Sequence, residues 1–435
     1  MTDRRSFLTL LSLPLAGRLL PALPAAAPSR GRMPAEILAT DDEQFWRELR
    51  KEFSIPKDEV FFNTGTLGSS PRVVQQAVIA HMQHVDRDIA HWDYKAGHEN
   101  YFTGYYDEMA LRDKLGRTIN APGRDISLSQ NATFGMNFIA NGLDLAPGDE
   151  VVVTDQAHPG GRKGYDLRVR RDGIVVREIK VPEPPASPDQ LVQLYLDATT
   201  PRTRVWAIPH ISSARAIRYP AERLCALARE RGIWGVVDGA QSLGHVAIDV
   251  QAMGCDAFFA SPHKWFLAPK GTGFLYVRPE RQHELWATLA SSEWDNQKDP
   301  MLRLMQYGTG NLSLLVGLGA AVDFHLQIGS ARIEQRIRSL ADRLRAGLAE
   351  IPGSTTVSPT HPDLACATTV YRLAGWTGAQ MQDALWERGR IRVRNVGDQV
   401  GVRHGCHIYN SPADVDRTLE LLRGMAGHSP APATG

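Results

Sequence analysis

Two short stretches concentrate side chains able to do covalent chemistry. Gly235-Val236-Val237-Asp238-Gly239-Ala240-Gln241-Ser242-Leu243-Gly244 places a carboxylate directly after an apolar run. Asp256-Ala257-Phe258-Phe259-Ala260-Ser261-Pro262-His263-Lys264-Trp265 places an amine just after another. Such runs read as buried strands, and in open α/β sheets ligands bind beyond the carboxyl ends of strands. Two strands therefore deliver Asp238 and Lys264 to one crevice. Burial disfavours a charged amine, so the pKa of Lys264 is expected to fall, which makes it a nucleophile for a carbonyl group. A carboxylate opposite suits a cofactor whose ring nitrogen must stay protonated. Pyridoxal 5'-phosphate (PLP) needs both groups, a lysine to link its aldehyde and an acid on its pyridinium nitrogen. The protonated ring then serves as an electron sink for a carbanion at an amino-acid Cα.

The elements that must position these groups follow from the pattern of apolar runs and turns. Strands are expected at Glu150–Thr154, Ile174–Val176, Val205–Ile208, Ile233–Val237, Ala257–Ala260 and Gly273–Val277, and helices at Asp42–Lys51, Thr133–Asn141 and Ala221–Arg231. Short apolar runs separated by helical stretches argue for an α/β fold, a mainly parallel sheet with helices on both faces. The Pro-rich segment Val181–Asp189 reads as a surface loop. After Asn311 the character changes to α+β: helices Leu312–Leu326, Arg332–Glu350 and Asp414–Gly424, and short strands Thr368–Leu373, Ile391–Arg394 and His407–Tyr409. The expected organisation is an export signal over 1–30, an N-terminal arm over 31–60, a large cofactor-binding domain over 61–310, a small C-terminal domain over 311–427 and a frayed tail over 428–435.

The combination V-V-D-G-A-Q-S-L-G with D-A-F-F-A-S-P-H-K-W resembles the class V aminotransferases of the fold-type I PLP family, in the branch of isopenicillin N epimerase-like and cysteine-desulfurase-like enzymes. The resemblance runs from about Phe61 to Leu422. It implies that Lys264 carries PLP as a Schiff base and moves the proton between Cα and the cofactor C4′, that Asp238 pairs with the pyridinium nitrogen and that Gln241 bonds the phenolic oxygen. Ser261 and His263 would hold the phosphate together with Ala132 and Thr133, where a helix N-terminus favours an anion. His158 matches the ring that stacks on the pyridine. Ser213 stands where the family commonly has an asparagine near the phenolic oxygen. Thr309, in Tyr307-Gly308-Thr309-Gly310-Asn311, matches a phosphate loop donated by the neighbouring subunit, which implies a homodimer with shared active sites. Arg403 matches the arginine that binds the substrate α-carboxylate, with Arg394 as a second candidate, and Asn63 lies in a segment like the family's N-terminal active-site mouth. A persulfide-forming desulfurase is disfavoured, because the loop Val396-Gly397-Asp398-Gln399-Val400 before Arg403 contains no cysteine.

Whole-chain properties narrow the alternatives. The 435 residues carry 49 basic against 48 acidic side chains, so no charged field draws in nucleic acid or anionic lipid. Arg4-Arg5-Ser6-Phe7-Leu8 and the apolar run to Leu23, followed by Ala25-Ala26-Ala27, resemble a twin-arginine export signal. A periplasmic, soluble mature protein is the expectation, loaded with its cofactor before export. In this respect the chain is similar to periplasmic PLP enzymes that tailor siderophore side chains. The four cysteines leave a disulfide open. His81, His84, His91 and His98 form no convincing metal site, and Trp92 to Tyr106 offers aromatics for an interface or substrate mouth. The expected partner is an amino-acid-like small molecule or a peptide side chain. Transamination, epimerisation, β-elimination and oxidative decarboxylation share the same first step. The rivals are a PLP-fold binding protein without catalysis and a nicotinamide dehydrogenase.

Overall fold

A computed structural model describes residues 42–91 and 108–428. The export-like segment, His98 and the Trp92–Tyr106 aromatics lie outside these residues. The strands are β1 Val60–Phe61, β2 Ile126–Ser129, β3 Glu150–Thr154, β4 Val175–Ile179, β5 Thr203–Pro209, β6 Trp234–Asp238, β7 Ala257–Ala260, β8 Gly273–Val277, β9 Ser354–Thr356, β10 Thr368–Leu373, β11 Ile391–Arg392, β12 Arg394–Asn395 and β13 Val402–Gly405. Seven of them form one sheet in the order β2-β8-β7-β6-β5-β3-β4. Strands β4, β3, β5, β6 and β7 run parallel, and β8 is antiparallel to both β7 and β2.

Unbroken apolar runs explain why this sheet is covered on both faces. Adjacent side chains on a strand point to opposite faces. Val152, Val237, Phe258 and Phe274 enter one hydrophobic cluster, while their neighbours Val153, Val236, Phe259 and Leu275 enter a second. The sheet therefore separates two cores. The edge strand β4 is the exception, with most of its residues in contact with solvent.

Residues beyond 350 build a smaller antiparallel sheet, β12-β13-β10-β9. The helix Ser330–Ala349 buries Ile333, Ile337, Leu340, Ala341, Leu344 and Leu348, a single stripe at helical spacing. Strand β1 pairs in parallel with β11, and Asn63 bridges to Gly405 just after it. The N-terminal segment is thereby tied to the C-terminal part of the chain.

Two expectations need correction. His407–Tyr409 is not a strand; the strand is β13, which ends at Gly405. Asn410 closes a turn there, donating its N–H to the His407 carbonyl and accepting the His407 N–H on Oδ1. Ile391–Arg394 is split at Val393 into β11 and β12, which belong to different sheets. Sequence reading also passed over β2 and the helices Arg72–Arg87 and Met109–Ile119. All four cysteines are free and buried. Among the described residues no single helix is long and apolar enough to cross a membrane.

Candidate active site

The crevice lies at the carboxyl ends of the parallel strands. Asp238 closes β6 and is held between its neighbours: its carbonyl accepts the His210 N–H from the end of β5, and the next residue, Gly239, donates to Phe259 of β7. Gly239 is required here because a Cβ would sit 2.1 Å from the Phe258 ring. The Asp238 carboxylate accepts the Ala240 N–H on Oδ1 at 2.9 Å. Oδ2 faces Gly161, where a Cβ would approach to 2.4 Å. That glycine thus keeps the space beside Oδ2 clear. Burial pushes the Asp238 carboxyl up, while the Ala240 N–H and the positive charges of Lys264 and His158 pull it down.

Lys264 follows β7 in a turn fixed by main-chain bonds. Gly68 donates to the His263 carbonyl at 2.8 Å, and a Cβ on Gly68 would lie 2.0 Å from the Lys264 oxygen. Burial lowers the Lys264 ammonium to about 8; Asp238 opposes that shift and Arg403 adds to it. Among the described residues nothing hydrogen-bonds its Nζ, so the amine is free to react.

Arg403, on β13, is buried under a collar of acceptors. Nη1 donates to the Ser213 carbonyl at 2.8 Å and to Ser213 Oγ at 3.0 Å. Nη2 donates to Thr66 Oγ1 at 3.0 Å and Asn63 Oδ1 at 3.2 Å. Desolvation, with Arg394 beside it, pulls the guanidinium down to about 10. Arg394 itself is exposed on β12, opposite Arg403 in the register.

The remaining expected residues divide into those brought together and those not. Ser261 Oγ accepts the Ala132 N–H at 2.9 Å, joining the end of β7 to the start of the helix Ala132–Gly142. Thr133 is the next exposed residue on that helix. His263 keeps a buried Nδ1 without a partner, and burial lowers its pKa to about 4. His158 lines the crevice with part of its ring open to solvent and its Nδ1 accepting the Gly160 N–H; partial desolvation of the ring lowers its pKa, and Lys264 acts in the same direction. Gln241 Nε2 donates to the Gly65 carbonyl at 2.8 Å and Ser213 Oγ at 3.4 Å. Thr309 is exposed, and no hydrogen bond joins it to this cluster among the described residues.

The residues of this crevice match what PLP requires. The bare Gly161 beside Asp238 Oδ2 leaves room for a ring nitrogen. The orphaned His263 Nδ1, Ser261 and the helix N-terminus supply donors for a phosphate. The unbonded lysine supplies the amine, so the residues fit the group. Sequence reading did not single out Thr66, Trp265, His245 or the glycines at 68 and 161. The Gly160-Gly161 pair after His158-Pro159 was the one visible signal of a close approach.

The chain matches the family described as Aminotransferase class-V over residues 62–418. It is 30% identical to the isopenicillin N epimerase of Amycolatopsis lactamdurans over 402 residues, covering 88% of this chain and 98% of that protein. It is 28% identical to a probable cysteine desulfurase of Methanothermobacter thermautotrophicus, covering 70% and 76%. The cysteine desulfurase of Thermococcus onnurineus has a similar fold, with a TM-score of 0.77 at 21% identity, covering 87% of this chain and 98% of that one. A cystine C–S lyase solved with its product cysteine persulfide superposes with a TM-score of 0.75 at 22% identity, covering 86% and 99%. With its matched region spanning most of the polypeptide and the two larger sheets of the fold, this chain belongs to the class-V aminotransferase family.

Proposed function

We propose that the protein is a PLP-dependent enzyme that takes an amino acid, or an aminoacyl side chain, by its carboxylate and moves the proton at the carbon bearing the amine. One observation carries this reading. Lys264, Asp238 and Arg403 come from three distant parts of the chain, yet they converge on one crevice: Gln241, three residues after Asp238, accepts the indole N–H of Trp265, the neighbour of Lys264, and shares Ser213 Oγ with Arg403.

When bound, PLP withdraws electrons from the substrate Cα. Lys264 would hold the cofactor through its amine, and the same Nζ is the base placed to carry a proton at the substrate Cα. Asp238 Oδ2 keeps the ring nitrogen protonated, since Oδ1 is already committed to Ala240. His158 covers the ring. Ser261, His263 and the N–H groups at Ala132 and Thr133 would hold the phosphate, the Ala132 N–H exchanging its bond to Ser261 Oγ for one to the anion. Arg403 orients the substrate by its carboxylate, which must exchange with Asn63, Thr66 and Ser213 for the guanidinium.

Epimerisation and transamination are favoured over persulfide chemistry. The loop 396–400 has no cysteine, and all four thiols are buried. The 30% identical epimerase adds weight to the first. The loop Tyr307–Asn311 is proposed to serve the partner's site in a homodimer, which its exposure permits. Export through the Arg4-Arg5 signal and a role in tailoring siderophore side chains belong to the same proposal. Sequencing the mature N-terminus after cell fractionation tests the address.

The decisive experiment incubates PLP-loaded protein with amino acids in D2O. Deuterium at Cα with inversion identifies an epimerase; pyridoxamine phosphate with a keto acid identifies a transferase. Lys264→Ala should abolish exchange, by at least ~10²-fold on the usual scale of acid–base groups. Undiminished exchange in that variant would refute the assignment.

A further inference from the structure

Trp265 and His245 play no part in the chemistry above, and each is 1% exposed. They nevertheless bracket Gln241 from two sides. The Trp265 indole can only donate, and Nε1 donates to Gln241 Oε1 at 2.8 Å. The Gly65 carbonyl can only accept, and takes Gln241 Nε2 at 2.8 Å. These opposite demands admit one orientation of the carboxamide. Turning it over would set donor against donor at Trp265 and acceptor against acceptor at Gly65. Each mismatch of buried groups costs about 1–3 kcal/mol.

The indole is itself clamped. It stacks on the His245 ring with centroids 3.8 Å apart and planes 25° from parallel. Its main-chain carbonyl accepts His407 Nε2 at 2.9 Å. His245 Nε2 accepts the Ala367 N–H at 2.8 Å, so the ring is neutral and its proton is on Nδ1. That Nδ1–H donates to the main-chain carbonyl of Gln241 at 2.9 Å. One imidazole thus fixes both the backbone of Gln241 and the platform that orients its side chain.

We propose that Trp265 and His245 are positioning residues that lock the Gln241 carboxamide with Oε1 on the indole and one N–H on Gly65, so that its second N–H, held only by the 3.4 Å bond to Ser213 Oγ beside Arg403, is what this position offers a cofactor oxygen: a donor and never an acceptor. A fixed donor favours an ionised oxygen over a hydroxyl. The inference rests on the PLP reading, because the oxygen concerned belongs to that cofactor.

The test is a spectroscopic pH titration of the PLP-loaded protein, which does not depend on turnover. Trp265→Phe keeps a ring on His245 and removes the indole N–H. The apparent pKa of the visible chromophore should rise by about one unit, the scale of one hydrogen bond to a charged group. Gln241→Ala should raise it similarly, and the double variant should rise no further than Gln241→Ala alone. A Trp265→Phe protein that titrates like wild type while Gln241→Ala shifts, or two shifts that add, would overturn the proposal. Failure of wild type to form any chromophore would sink the PLP reading itself. Orientation is then read in the apoprotein, from the Trp265 indole N–H resonance. Its chemical shift should move upfield in Gln241→Ala as the hydrogen bond is lost, and an unmoved shift would refute the lock.

Discussion

The reactivity of Lys264 depends on its charge state. Its reactive form is the neutral amine, and burial has brought the ammonium down to about 8. Capture of PLP by the apoprotein should therefore accelerate as pH climbs through about 8 and level off above it. Asp238 pulls that pKa upward, so Asp238→Asn should move the midpoint to lower pH. Stopped-flow absorbance measures both; an unmoved or higher midpoint in the variant contradicts the coupling. Asp238 and Lys264 could be read from the chain because ionisable groups at the ends of apolar runs have few other uses; Arg403, inside the short strand β13, was legible only through the family resemblance. Thr66 and His245 could not. Thr66 matters through a partner 337 residues away, and His245 through a stacking contact and two main-chain groups. Neither leaves a trace in local spacing.

At the scale of elements, two glycines make contrasting predictions. A Cβ at Gly161 meets only the tip of the Asp238 side chain, at 2.4 Å. Gly161→Ala should fold with little loss of Tm yet bind PLP at least ~10-fold more weakly, about 1.4 kcal/mol. A Cβ at Gly68 meets the main-chain oxygen of Lys264 at 2.0 Å, which cannot swing aside. Gly68→Ala should cost about 1–3 kcal/mol of stability, as overpacking does. Urea unfolding and a PLP binding titration separate the cases, and equal effects on both variants would contradict this account. Sequence reading placed β3, β5, β6, β7 and β8 to within a residue or two, because strands buried on both faces appear as unbroken apolar runs. It missed β2, Ile126–Ser129, whose alternating serines look like a turn, and it placed a strand at His407–Tyr409, where aromatic content mimics one. The two rings there stack at 5.0 Å instead.

Across the whole molecule, the four cysteines make a simple statement. Each is buried, and burial raises each thiol's pKa. Native protein should leave Ellman's reagent colourless, while the denatured chain should release four equivalents. A thiol titrating in the native state would show that one of these packed regions opens. The pairing of β1 with β11, and of Asn63 with Gly405, has a further consequence. During synthesis, Lys264 and Asp238 leave the ribosome long before Arg403, and the segment that carries Asn63 and Thr66 waits without its partner until the last strands emerge. On the proposed function, the lysine that would carry the cofactor is thus made well before the arginine that would recognise a substrate carboxylate.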